Sequence, residues 1–290
     1  MKTNPGNILI PVDFEKPSFI AIEQSYNIAR LQKLEIYLLY VHEDGVIFSR
    51  FFTVQQSEEV LGKIKADLEL LAQKTENDAG VKVYAMLEKG KPHDVILRVA
   101  KEIDAKFIIM GTTNAPENIV GVTTHKVVRT AGCPVITVKE DTYHDGCRTI
   151  LLPLDLTSES RQKVGWCIDV ARAYNARIRI LSVLWSNSDE IKQQLGIQLK
   201  QVKNFIEKSG VVCTSELLET GNSKETIIPV VLNYINTHPE IDLVVIMTQS
   251  EIGIIDFFLD SDAQQIIRSS KVPVMSIVPR EIGISSIRGF

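Results

Sequence analysis

Short runs of Ile, Val and Leu alternate along this chain with longer stretches in which apolar residues recur every three or four positions. Ile8–Val12, Glu35–Val41, Val81–Leu87, Phe107–Met110 and Val135–Val138 are predicted buried strands, since each is a largely apolar run too short for a helix. The segments 18–32, 56–77, 92–102 and 122–131 between them are predicted helices. The second of these places Val60, Ile64, Leu68 and Leu71 on one face and Glu58, Lys63, Lys65 and Lys74 elsewhere. Further strands are expected near 149–154, 178–184, 211–218, 243–247 and 274–278. Strands that alternate with helices need crossover connections, so the fold class is α/β, with parallel sheets covered by helices on both faces.

The pattern occurs twice. Asn7-Ile8-Leu9-Ile10-Pro11-Val12-Asp13-Phe14 returns 142 positions later as Thr149-Ile150-Leu151-Leu152-Pro153-Leu154-Asp155-Leu156. The same offset carries Ala29-Arg30 onto Ala171-Arg172 and Ile36, Leu39 and Val41 onto Ile178, Leu181 and Val183. Later matches drift slightly: Leu87-Glu88-Lys89-Gly90 with Leu218-Glu219-Thr220-Gly221, Ile108-Ile109-Met110 with Val245-Ile246-Met247, and Pro134-Val135 with Pro273-Val274. A duplicated domain is therefore expected, with units at 1–139 and 149–280, a polar linker at 140–148 and a tail at 281–290.

Length and composition agree with two such units. The 290 residues are 44% hydrophobic and 23% charged, enough to bury a core in each half, which excludes a disordered or collagen-like chain. A net charge of −4 gives no basic footprint for nucleic acid. No stretch of about 18 apolar residues spans a bilayer, and the first residues lack an apolar signal region. A cytoplasmic protein without a membrane partner is expected. Cys133, Cys147, Cys167 and Cys213 form no C-x-x-C pair, and the five histidines, His42, His93, His125, His144 and His238, show no metal-ligand spacing. No metal site is expected.

In parallel sheets small ligands lie beyond the carboxyl ends of the strands, where strand order reverses. Asp13 and Asp155 follow the first strand of each half. Each carboxylate can accept hydrogen bonds from a ribose or an adenine amine, or cap the helix that follows. After the fourth strand comes Gly111-Thr112-Thr113-Asn114-Ala115-Pro116-Glu117-Asn118-Ile119-Val120-Gly121-Val122-Thr123-Thr124. Its glycines would let backbone N–H groups approach a phosphate at a helix N-terminus; alternatively it is a turn with Thr123 or Thr124 as the cap. Lys126 with Arg129, and Arg177 with Arg179, read as solvated faces. There is neither a G-x-S-x-G elbow nor a G-x-x-x-x-G-K-[ST] loop.

These pieces together resemble the universal stress protein family in its tandem, two-domain form. The opening Ile-Leu-Ile-Pro-Val-Asp, Ile109-Met110-Gly111-Thr112, the helix Lys126-Val127-Val128-Arg129 and the closing Cys133-Pro134-Val135-Ile136-Thr137-Val138 carry the resemblance. It implies two Rossmann-like domains of the adenine nucleotide alpha hydrolase type, each a five-stranded parallel sheet, forming an intramolecular pseudo-dimer. Val135, Ile136, Thr137 and Val138 would then pair with Val274, Met275, Ser276 and Ile277, since open sheet edges invite another strand.

The family's ATP-binding branch carries G-x2-G-x9-G-[ST], and this chain departs from it twice. Gly111 and Gly121 fill the first and third positions of the first half, but Asn114 and Val122 fill the second and the Ser/Thr places. The loop is three residues short, a loss of about 10 Å of chain. In the second half Thr248, Glu251 and Asp260 replace the glycines, leaving Ser261, while Asp256 and Asp262 add charge that costs on the order of 1–4 kcal/mol per close contact with a phosphate. A non-catalytic stress-response protein without a cofactor is expected, acting through protein contacts and self-pairing that can extend to a homo-oligomer. The alternative is an ATP or AMP sensor, with Mg²⁺ and weak ATP hydrolysis, using Asp13, Gly111, Thr112, Gly121, Thr123, Asp155 and Ser261.

Overall fold

The computed structural model describes residues 6–43, 54–112, 121–140, 142, 146–155, 160–184, 188–220, 227–248 and 260–279. In the first half the elements run β1 (Asn7–Pro11), α1 (Lys16–Gln32), β2 (Glu35–His42), α2 (Val54–Ala79), β3 (Val83–Lys89), α3 (Pro92–Glu102), β4 (Ala105–Gly111), α4 (Val122–Thr130) and β5 (Val135–Val138). The second half repeats them as β6 (Thr149–Pro153), α5 (Ser160–Tyr174), β7 (Arg177–Leu184), α6 (Asp189–Lys208), β8 (Cys213–Glu219), α7 (Ile227–Thr237), β9 (Leu243–Met247), α8 (Asp260–Ser269) and β10 (Val274–Ile277).

All ten strands join one sheet in the order β3-β2-β1-β4-β5-β10-β9-β6-β7-β8. Each group of five is parallel. The strand period of two divides their side chains between two cores. Ile8, Ile10, Ile150 and Leu152 pack with the buried residues of α1, α2, α5 and α6. Leu9, Leu39, Leu151 and Leu181 pack with those of α3, α4, α7 and α8 on the other face. Helices cover both faces of the inner strands, which is why those strands read as unbroken apolar runs.

The duplication extends to local geometry. α1 ends where Lys33 turns left-handed at φ 57°, and α5 ends at Asn175 with φ 54°. In both copies the chain then closes the same turn, Leu34 N–H donating to Ala29 O and Ala176 N–H to Ala171 O. Arg30 reaches the carbonyl of Ala79 (2.7 Å) and Arg172 that of Ser209 (3.0 Å).

The halves meet through β5 and β10, the antiparallel pair in the sheet, with Ile136 opposite Met275, Val135 opposite Ser276 and Thr137 opposite Val274. Ile136 and Met275 are equivalent residues, so the pseudo-twofold axis passes between them. Val138 and Ile277 lie beyond these pairs and pair instead with Gly111 and Met247. Around the axis Thr137 Oγ1 donates to Val274 O (3.3 Å), Lys139 Nζ donates to Arg268 O at the end of α8 (2.8 Å), and His125 Nε2 lies 2.7 Å from Gln264 Nε2.

Several sequence expectations are corrected. The run Val81–Leu87 is not a buried strand: β3 is the outermost strand of its half, with Tyr84 exposed. Within the expected linker, Thr142 is buried and its hydroxyl accepts from Lys139 N (2.7 Å). Two internal matches slide by one residue. Register pairs Met86 with Leu39 and Glu216 with Leu181, so Leu87 corresponds to Leu217, not Leu218. Likewise Leu9 pairs Ile108 and Leu151 pairs Val244, so Ile108 corresponds to Val244. Identical letters had been aligned, but a one-residue slip would turn every side chain to the other face, and the ladder forbids it.

Candidate functional site

A cleft of about 300 Å³ opens at the carboxyl ends of the first-half strands. It lies where β1 and β4 are neighbours although they are not consecutive, the point at which strand order reverses. Asp13, Tyr40, Val41, Gly111, Thr123 and Thr124 are among its walls.

Each wall residue has a local reason for its place. Asp13 follows β1 and is exposed, with its Oδ1 accepting the Glu15 N–H at 3.0 Å. That is a tight side-chain turn, not a helix cap: Glu15 is the N-cap of α1, and no side chain caps it. Phe14, at φ 61°, turns the chain so that its ring packs 5.7 Å from that of Tyr40. Gly111 is set by packing. A Cβ there would lie 2.3 Å from the Pro17 carbonyl carbon and oxygen, so only glycine lets β4 approach the start of α1. Gly121 is the N-cap of α4 with no side-chain bond, which overturns Thr123 or Thr124 as the cap. Thr123 faces the cleft, whereas Thr112 is buried and tied to β5 through N–H (2.8 Å) and Oγ1 (3.4 Å) bonds to Val138 O.

The structure thus gathers Asp13, Gly111 and Thr123 at one cleft and keeps Thr112 in the sheet and Gly121 at the helix start. Residues 113–120, which include Asn114, lie outside the described residues.

The second half is built differently at the same place. Asp155 corresponds to Asp13 but is only 5% exposed, and Lys163, 1% exposed, stands at the position of Ala21 in the first half. Burial pushes the Lys163 ammonium below its ordinary range, against the pull of the Asp155 carboxylate and, less, of Cys167. Met247 takes the place of Gly111 and is buried. Thr248 repeats the role of Thr112, with its N–H 3.1 Å from Ile277 O. Ser261 lies in the first turn of α8, where its side chain is outside the described residues, as are Glu251, Asp256 and the Asp260 side chain. Sequence reasoning missed Lys163. The signal was present: a lysine 142 positions after Ala21, in an otherwise apolar stripe.

Other polar groups find structural partners. Arg179, expected on a solvated face, binds Glu240 at 2.9 Å and lies 3.5 Å from the Tyr234 hydroxyl, which donates to Glu216 at 2.6 Å. His42 is buried at the end of β2, and the His238 ring stacks on Tyr234 at 3.9 Å. The thiols of Cys147, Cys167 and Cys213 are all pushed up by burial, that of Cys213 to about 12. Among the described residues no group of three or more His, Cys, Asp and Glu could hold a metal ion. No helix among them is long and apolar enough to cross a membrane.

Comparison with known proteins gives a consistent picture. The model of the universal stress protein family matches residues 5–139 and again 146–277. Universal stress protein MJ0577 of Methanocaldococcus jannaschii is 31% identical over 151 residues, covering 46% of this chain and 93% of that protein. Universal stress protein YxiE of Bacillus subtilis is 27% identical over 146 residues, 46% of this chain and 99% of its own length. Each of these relatives is thus the size of one half. A solved universal stress protein from Archaeoglobus fulgidus superimposes over 96% of this chain and 98% of its own, with TM-score 0.75 at 18% identity, a likeness of fold.

Proposed function

Because the chain belongs to the universal stress protein family, in two tandem copies, we propose that it is a non-catalytic stress-response protein that neither holds nor hydrolyses ATP. The observation that carries this reading is the divergence of the two clefts. In the second half Lys163 and Met247 stand where the first half has Ala21 and Gly111, and Asp155, the counterpart of the exposed Asp13, is buried. In the first half the cleft is about 300 Å³, at the lower end of small-molecule sites. The connection from Gly111 to Gly121 is three residues shorter than the ATP-binding pattern, and Val122 offers no hydroxyl where that pattern has Ser or Thr. Phosphate release from ATP with Mg²⁺ tests it. No release above the protein-free rate is expected, and turnover that disappears in Asp13→Ala would refute the proposal.

The open first cleft favours a second reading, a monophosphate such as AMP bound there alone. Asp13 would accept from the ribose and Thr123 would donate to the phosphate. Calorimetric titration with AMP is expected to give one site per chain, weakened about tenfold by Asp13→Ala, the loss of one hydrogen bond to a charged group. Two equal sites per chain would contradict it.

A further inference from the structure

The most spacious cavity among those described, about 680 Å³, lies at the opposite end of the first-half sheet, where the strands begin. It spans the junction of the halves. Leu97, Ala100 and Lys101 of α3, Lys106 at the start of β4 and Gly132 before β5 form one side, and Trp166 of α5 reaches in from the second half. The Trp166 ring is half-buried and meets Phe107 edge-on, with centroids 6.1 Å apart, so the indole is held in a fixed orientation. A smaller recess of about 80 Å³ continues from Gly132 and Trp166 toward Ile277.

Comparison across the pseudo-twofold axis sets this groove apart. At the equivalent place in the second half Gln24 stands for Trp166, Asp242 for Lys106, Lys271 for Gly132 and Arg148 for Gly6. There Asp242 is buried and accepts the N–H groups of Arg148 (2.6 Å) and Thr149 (3.1 Å), a tie that a lysine, which only donates, cannot make at the equivalent first-half position. The first-half groove is lined instead by two glycines, an aromatic ring and two lysines. Neither Lys101 nor Lys106 takes part in an ion pair among the described residues, and the lining contains one acid, Asp104. The last turn of α3 does not need the lysines, because its carbonyls receive the Ile103 and Asp104 N–H groups at 3.0 and 3.3 Å.

We propose that this groove binds a small planar aromatic acid, with its ring against the Trp166 indole and its carboxylate held by Lys101 and Lys106. The apolar side chains of Leu97 and Ala100 flank a flat ring. Two lysines in one lining favour a carboxylate over a neutral or cationic head. The cavity volume suits one such ligand. This site is separate from the cleft at Asp13 and is independent of whether any nucleotide binds there.

The test follows the Trp166 indole N–H resonance of the ¹⁵N-labelled full-length chain, assigned by its disappearance in Trp166→Phe, during titration with benzoate. A saturable shift with a dissociation constant below about 5 mM is expected. Benzyl alcohol and benzylamine are expected to bind at least about tenfold more weakly, as is benzoate to the Lys101→Gln/Lys106→Gln variant. Gly132→Leu places an isobutyl group in the groove, at a position where an added Cβ meets nothing within 4 Å, and is expected to abolish the shift. Asp13→Ala is expected to leave it unchanged. Absence of saturation, equal binding of benzyl alcohol, or benzoate binding unaltered by Gly132→Leu or by the lysine variant would overturn the proposal.

Discussion

At Gly111 a single added methyl group would lie 2.3 Å from the backbone of Pro17, so this glycine is held by packing rather than by a ligand. Gly111→Ala is accordingly expected to lower stability by about 1–3 kcal/mol in urea unfolding, whether or not any nucleotide is present. Lys163 offers a second test at this scale. Lys163→Met removes the amine beside Asp155 and leaves that buried carboxylate without it, a change expected to cost about 1–3 kcal/mol. Adding Asp155→Asn is expected to recover much of that loss, a coupling that a double-mutant cycle reads directly. The buried thiols set an alkaline limit. Their folded pKa values lie above the ordinary 9.0, that of Cys213 at about 12, so between these values the folded state holds protons that the unfolded state has released. Stability present below pH 9 is therefore lost as pH rises toward 12, and Cys213→Ala is expected to flatten that slope in unfolding measured at successive pH values. Of these residues the sequence displayed Gly111 and Asp13 through their positions after strands. Lys163 was legible only by comparing the copies, 142 positions after Ala21, because within its own half a buried lysine follows the same spacing as an apolar residue.

At the scale of elements, all ten strands and the helices of both halves follow from apolar runs and helical spacing, since each element has a face that must be buried. What the letters did not contain was register. Leu87 and Ile108 each match a residue one position away from the identity-based alignment, because inter-strand hydrogen bonds and not residue identities fix which side chain faces which core. The exposure of β3 was also hidden, since an outermost strand can be as apolar as a central one. The pairing of β5 with β10 was implied by the family resemblance and agrees with the need of open sheet edges for a partner strand. Met275 is fully buried on the pseudo-twofold axis opposite Ile136. Met275→Asp places an unpaired charge between the halves and is expected to split one calorimetric unfolding transition into two; a single transition at unchanged temperature would show that the pairing does not couple the halves.

The whole molecule is two copies of one fold that have grown unlike each other at the ends of their strands. Near the strand ends the first half keeps an open cleft at Asp13, while the second turns Asp155 inward toward Lys163. At the junction the asymmetry recurs, with a groove at Trp166 and Lys106 in the first half and, in the second, Gln24 and an Asp242 bound to the Arg148 and Thr149 N–H groups. Such differences between copies are invisible in either half alone and appear only when register superimposes them. Equilibrium titration of the full-length chain with ATP and Mg²⁺ by calorimetry addresses the divergence most directly. The expected result is no saturable binding up to about 1 mM ATP. Micromolar binding at either half would contradict it.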